Sequence, residues 1–409
     1  MNAASPLLPV PEALLRVLAS APEPLPPETV PLAQARGRTL AHDLAALRTQ
    51  PPFNASAMDG YALRAADLAT IPATLKLIGA SAAGHGFAGA VGPGEAVRIF
   101  TGAPVPEGAD TVIIQENTTA DDASVTILQT EPLGRNIRVA GLDFAEGDVL
   151  LARGTLLGPC ELALAAAMNH ATLPVTRRPR IALLATGDEL VKPGDALGPD
   201  QIVTSNTNAV GAYAQAAGAE VIDLGIAGDT FEAIEAGIRA ARDAGADVLV
   251  TLGGASVGDH DLVQTALANE GMELGFWRIA MRPGKPLMHG RIGDMRILGL
   301  PGNPVSAIVC GVLFLIPLIR ALVGDRQAGA DQTEAAVLGC DLAANDSRED
   351  YLRATLQAGT GLPVATPFGR QDSSMLRVLA SSHCLVVRPP RAPAAKAGEP
   401  CRIIRLTRV

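Results

Sequence analysis

The chain has 409 residues, 48% of them hydrophobic, 18% charged and only 3% aromatic. That length allows roughly two to four domains, and the aliphatic content excludes a disordered chain. The net charge of −9 and the scarcity of rings for base stacking argue against a nucleic-acid partner. A small anionic substrate at a local basic cluster stays open.

The N-terminus shows no basic segment ahead of an apolar run, so no secretory signal is expected. Cys160, Cys310, Cys340, Cys384 and Cys401 form no CxxC pair, which points to a reducing cytoplasm rather than a zinc site or a disulfide framework. A helix is expected from about Pro11, with Leu14, Leu15, Val17 and Leu18 as its apolar stripe, and a second over residues 32–40. Apolar runs at 75–78, 96–100, 111–114 and 125–128, separated by Gly, Pro and Asp turns, read as a small inserted β domain. Residues 158–169 are helical again and are expected to pack back on the N-terminal helices. After a linker at 174–179 the pattern becomes βαβ. Strands are expected at 180–184, 220–224, 248–252, 276–281, 287–289 and 295–300, alternating with helices at 208–217, 231–244 and 261–270, so the sheet should be mostly parallel. The apolar run 306–318 contains Pro317 and falls short of a bilayer span, so it reads as a buried helix. Strands at 334–338, 351–356, 384–387 and 402–406 predict a C-terminal β-barrel or sandwich.

The central stretch is 246–261, ADVLVTLGGASVGDHD. A buried strand stops at Gly253-Gly254, the loop containing Ser256 offers backbone N–H groups, and Asp259 and Asp261 stand at the mouth of the next helix. Related loops follow other strands: Thr186-Gly187-Asp188-Glu189-Leu190, Arg282-Pro283-Gly284-Lys285-Pro286 and Pro301-Gly302-Asn303-Pro304. If the strands are parallel, these loops meet at one edge. They would make a crevice with carboxylates at Glu189, Asp229, Asp259 and Asp261, cations at Arg282 and Lys285, and helix N-termini suited to anions. Such a set suggests Mg²⁺ held partly by protein and partly by substrate phosphates. Helix capping is the competing use of Asp188, Asp229 and Asp261; Asp188 reads as a cap, Glu189 and Asp261 as functional. Asp59 sits in a tight turn and faces outward.

SAMDGYA at 56–62, RIFTGAPVP at 98–106, TGDEL at 186–190, GGASVGDHD at 253–261, RPGKP at 282–286 and GLPGNPVSA at 299–307 resemble the molybdopterin molybdenumtransferases, the family of bacterial MoeA and the C-terminal domain of gephyrin. The resemblance implies a multidomain α/β plus β fold: a discontinuous N-terminal helical domain (1–50 and 141–176), an inserted β domain (51–140), an α/β molybdopterin-binding domain with a mostly parallel sheet (177–325) and a C-terminal β-barrel domain (326–409). It implies a cytoplasmic homodimer that inserts molybdate into adenylylated molybdopterin with release of AMP, using Mg²⁺. A molybdopterin adenylyltransferase and cofactor-accepting molybdoenzymes are the partners it admits. By motif, Asp59, Glu189, Asp229 and Asp261 would be catalytic, the last three holding the metal. Thr101, Ser256, Arg282, Lys285, Pro301, Gly302 and Pro304 would bind substrate, as would Asp143, Arg353 and Ser373 on weaker matches. Ala255, Arg282 and Asp372 depart from the family's usual valine, lysine and glycine, and Asp372 lies beside Ser373. Two rival readings are a pterin carrier without turnover, against which Glu189 and Asp261 count, and a nucleotide or pterin hydrolase or adenylyltransferase, which the loops outside the α/β region do not fit.

Overall fold

Every residue of the strand Val248–Leu252 is buried, as in a sheet covered on both faces. In this computed structural model, which describes residues 7–254, 262–359 and 361–406, that strand lies between Arg180–Thr186 and Met295–Leu300 and runs parallel to both. Glu220–Ala227 adds outside Arg180–Thr186, again parallel. Beyond Met295–Leu300 come Met288–Ile292, antiparallel to it, and the edge strand Glu273–Trp277. The sheet is therefore mostly parallel with one reversed strand. The reversal follows from a two-residue connection, Gly293-Asp294, with Gly293 at φ 56°: so short a link joins antiparallel neighbours only. The expected strand at 276–281 ends at Trp277, because Arg278 takes φ 74°.

Successive strand residues face opposite layers. Ile181, Leu183, Val248 and Val250 pack with the helices Val10–Ala19, Asn206–Ala216 and Pro304–Cys310, whereas Ala182, Leu184 and Leu249 pack with Phe231–Asp243 and Leu262–Asn269. In Phe231–Asp243, Ile234, Ile238 and Ala241 recur on the buried face and the Thr230 hydroxyl accepts the Ala233 N–H as N-cap.

The run 304–322 passes for a membrane span by length and composition, but 72% of it is buried inside the protein. It changes from α to π geometry at Gly311–Leu315, just before Pro317. Proline has no N–H to give and its ring crowds the carbonyl four residues back, so a wider turn relieves the clash. Phe314 in that turn is fully buried, and truncating it to Ala should cost about 3–5 kcal/mol.

Residues 27–46 meet 148–176 through Pro27–Pro31 with Thr172–Thr176 and Leu44–Ala45 with Val149–Leu151. One expectation fails here and another holds in part, since Pro159–Ala167 packs on the 32–40 segment but not on the first helix. The helix at 32–40 shrinks to a 3-10 turn, Leu32–Gln34, because the chain extends after Gly37 (φ 72°) to bridge Leu156 and Val175. The helix Val10–Ala19 packs on the α/β core through Val10, Ala13 and Val17, and Pro159–Ala167 joins a different cluster with Leu40 and Phe144. The inserted β region is a six-stranded sheet in the order Thr111–Ile114, Gly60–Leu63, Glu95–Ile99, Ala73–Ser81, Ser124–Ile127, Thr118–Ala120. At the C-terminus, Glu349–Gln357, Val364–Pro367, Thr333–Leu338, Pro400–Arg405 and Cys384–Arg388 pair in turn, and the last pairs again with the first. This closed five-stranded ring is a β-barrel, not a sandwich.

Candidate active site

The first strand of the parallel sheet, Arg180–Thr186, has the second on one side and the third on the other. At such a reversal of winding the following loops diverge and leave a crevice beyond the carboxyl ends of the strands. A cleft of about 740 Å³ opens there. Its walls are Thr186 and Glu189, Thr204 to Asn206, Leu252 to Gly254, Lys285-Pro286, Pro301 to Pro304, and Ser374 with Leu376 from the C-terminal region. Two helices, Asn206–Ala216 and the run beginning at Pro304, start in this wall. The positive ends of their dipoles make it suited to anions.

Close backbone packing shapes the floor. Gly253 has φ 108°, and a Cβ there would lie 2.7 Å from the Thr186 carbonyl oxygen. A side chain on Gly254 would collide with Val263. The Thr186 hydroxyl, beside these glycines, is buried and has no hydrogen-bond partner among the described residues. Asn206 is 8% exposed and its Nδ2 donates to the Gly302 carbonyl at 2.7 Å, tying the two helix starts together. Pro304 occupies the first helical turn, where its missing N–H has no cost.

Among the described residues, Glu189 and Lys285 are the two ionisable side chains lining the cleft. Glu189 lies against Gly187, and no helix follows it: Leu190–Val191 is a short strand paired with Ile202–Val203. Asp188 is therefore not a helix cap. Its Oδ1 accepts the Asp229 N–H at 3.0 Å, and Asp229 Oδ2 accepts the Asp188 N–H at 3.4 Å, so the two turns are cross-linked. Thr230 takes the cap and leaves Asp229 exposed one residue before it.

Arg282 is outside the cleft lining. Its guanidinium pairs with Asp350 and with Asp346 at 3.1 Å, and bonding to Asp350 raises its pKa further above the usual arginine value. Lys285, three residues on, has no ion-pair partner among the described residues and faces the cleft. The loop thus divides its two cations between the barrel and the crevice.

Asp59 and Thr101 meet elsewhere, at one end of the inserted sheet. Gly60 lets its strand lie against Ile113, where a side chain would collide with the carbonyl, and so sets Asp59 at the strand's start. Asp59 Oδ1 accepts the Thr101 N–H at 2.7 Å and the Thr101 hydroxyl at 2.8 Å; these bonds hold the carboxyl below its usual pKa, helped by Arg98. Arg98 lies over Tyr61 at 4.8 Å and Phe100 at 5.1 Å and donates to Gln115. Asp143 is exposed in a turn whose N–H donates to the Gln50 carbonyl, away from the cleft. Arg353 is 1% exposed and donates to the Asp372 carbonyl at 2.9 Å; burial lowers its pKa while Asp372 opposes the shift. The Ser373 carbonyl accepts the Val305 N–H at 3.0 Å, and it is the next residue, Ser374, that lines the cleft. Ser256, Asp259 and Asp261 lie outside the described residues.

Thr186, Asn206 and Ser374 are cleft residues that the sequence reading did not single out. Asn206 opens its helix directly after the N-cap position, Ser205.

Three family models match in order: the MoeA N-terminal region (domain I and II) over residues 8–169, a probable molybdopterin binding domain over 182–321, and the MoeA C-terminal region (domain IV) over 335–406. The chain is 35% identical to a molybdopterin molybdenumtransferase of Haemophilus influenzae, covering 96% of this chain and 97% of that protein. It is 36% identical to molybdopterin molybdenumtransferase 2 of Mycobacterium tuberculosis, covering 96% and 98%. Two crystal structures of molybdopterin biosynthesis MoeA protein from Pyrococcus horikoshii match with a TM-score of 0.83, at 29% and 26% identity, covering 98% and 97% of this chain and 100% and 99% of theirs.

Proposed function

The chain belongs to the molybdopterin molybdenumtransferase (MoeA) family, and from that premise we propose that it inserts molybdate into adenylylated molybdopterin, hydrolysing the adenylyl linkage and releasing AMP with the molybdenum cofactor. It is a transferase of molybdenum cofactor biosynthesis. The observation that carries the finer reading is the cleft at the sheet's switch point, lined by two helix starts, by Lys285 and, among the described residues, by one carboxylate, Glu189. Molybdate and a pyrophosphate linkage are anions, and such a wall stabilises both.

Mg²⁺ fits this donor set in one specific way. No group of three or more His, Cys, Asp or Glu forms a metal cage among the described residues. Mg²⁺ is commonly held by one or two carboxylates and by substrate phosphates, and Glu189, with Asp229 in the cross-linked neighbouring turn, supplies that number. Asp261 would add to the set. Bound there, the ion would neutralise charge on the pyrophosphate. Lys285 would hold molybdate or phosphate oxygens, and the Pro301 to Pro304 loop would orient them with backbone N–H groups. Arg282 would act on this site by holding the Lys285 loop against the barrel.

None of the cleft-lining residues comes from 51–140. That one-sidedness supports a homodimer in which Asp59 and Thr101 of the partner subunit close the site and the ionised Asp59 orients the attacking water. Incubating purified protein with adenylylated molybdopterin, molybdate and Mg²⁺ tests the proposal. AMP and cofactor should appear together; neither product appearing refutes it.

A further inference from the structure

We infer that Ser374 is a fixed hydrogen-bond acceptor at the cleft mouth, that Asp372 holds it in that role, and that it selects a ligand edge bearing an exocyclic amino group, as on an amino-substituted heterocycle. Ser374 lines the cleft beside Leu376. Its hydroxyl donates to Asp372 Oδ1 at 2.6 Å, and the same oxygen accepts the Ser374 backbone N–H at 2.8 Å. The first distance is that of a charge-assisted O–H···O⁻ bond. A serine hydroxyl has one proton to give. With that proton committed to the carboxylate, the oxygen turns only lone pairs towards a ligand. The two Ser374 bonds, with Arg353 nearby, hold the Asp372 carboxyl below its usual pKa, so it is ionised at neutral pH and the polarity of the hydroxyl does not reverse.

The other walls are rich in donors: two helix starts, the glycine turn and Lys285. Those groups select the anionic part of a ligand. An acceptor at the rim, next to the apolar Leu376 side chain, selects something else, a ring with an exocyclic amino group on its edge and a face for the leucine. A pterin 2-amino group and an adenine 6-amino group both qualify. The inference rests on reading the cleft as the site of adenylylated molybdopterin.

Equilibrium binding of the full-length protein to two ligand pairs tests it: pterin against 2,4-dioxopteridine, and AMP against inosine monophosphate. The wild type should favour the amino member of one pair by about tenfold, the worth of one hydrogen bond whose loss leaves a polar group unpaired. Preference in the first pair assigns the site to the pterin, preference in the second to the adenine. Ser374→Ala should bring the ratio near unity, Asp372→Asn should weaken it by freeing the hydroxyl to rotate, and Ser374→Thr should keep it. No preference by the wild type in either pair, or the same preference in Ser374→Ala, overturns the inference. Turnover of adenylylated molybdopterin is measured on the same preparation. Normal wild-type turnover with no amino preference defeats this inference alone; absent turnover defeats the proposed reaction, and the binding ratios are judged separately.

Discussion

Replacing Arg282 with Ala separates two uses of that cation. Its partner Asp350 has a side chain only 6% exposed, and the second carboxylate oxygen is buried without a hydrogen bond among the described residues. Without the guanidinium, a nearly buried carboxylate loses its ion pair. A fully buried pair broken in this way costs about 3–5 kcal/mol, whereas an exposed pair contributes about 0.2–1 kcal/mol. Arg282 is 47% exposed, so water screens its side of the pair and the expected loss is about 2 kcal/mol. Urea unfolding followed by Trp277, the chain's one tryptophan, reads this directly from the strand preceding the loop. Asp350→Asn removes the charge that needs pairing, so the double variant should lose much less than the two single losses added together. Both single variants should also raise KM, because either one frees the loop carrying Lys285. If Arg282 instead bound the substrate anion, Asp350→Asn would release it to the cleft and leave KM unchanged or lower. Additive stability losses, or an unchanged KM in Asp350→Asn, would refute the clamp.

Gly253→Ala places a Cβ 2.7 Å from a backbone oxygen at φ 108°, so it should lose about 1–3 kcal/mol of stability and most of the turnover; a wild-type melting curve would contradict this. Asn206→Ala leaves the Gly302 carbonyl unpaired in the wall, and KM should rise several-fold, about 1–2 kcal/mol of binding, with the circular dichroism spectrum unchanged. Thr101→Val removes the hydroxyl bond that helps keep the Asp59 pKa low, so the acid limb of kcat/KM should move to higher pH. A limb that stays in place means Asp59 does not act as a carboxylate. Burial lowers the His289 pKa below 6.5, so the unfolded chain binds a proton in the window below that value where the folded protein does not. Stability should therefore fall as pH drops through about 6.5, and His289→Gln should remove that component of the slope.

The parallel strands were legible because period and composition agree over whole elements. Val248 to Leu252 is a continuous apolar run with glycines at its end, and a strand buried on both faces has no other sequence form. The reversed strand Met288–Ile292 was not, since its direction depends on the length of the link at Gly293-Asp294 rather than on its own residues. The missed strand Val364–Pro367 is short, and beside its neighbour in sequence, Glu349–Gln357, it pairs with Thr333–Leu338, a more distant parallel partner that its own four residues do not specify. The failed helix at 32–40 shows the same competition. Its local propensity is helical, but bridges to Leu156 and Val175 offer backbone partners more than a hundred residues away.

Within the cleft, legibility divides by the kind of residue. The glycine and proline loops could be read because backbone shape restricts which residues fit, and the switch point could be deduced once the strand order was known. The fate of a charged side chain could not. Arg282 and Lys285 stand three residues apart in a loop that reads as doubly basic, and only the position of the barrel decides that the first is taken up by Asp350 and the second left facing the cleft. Asp372 and Ser373 are a second case: the carboxylate beside Ser373 accepts the hydroxyl of the following residue, and it is Ser374 that lines the cleft. The sequence could not show which serine the carboxylate binds, because a side chain two residues away is within reach of an Asx-type bond and the adjacent one is not.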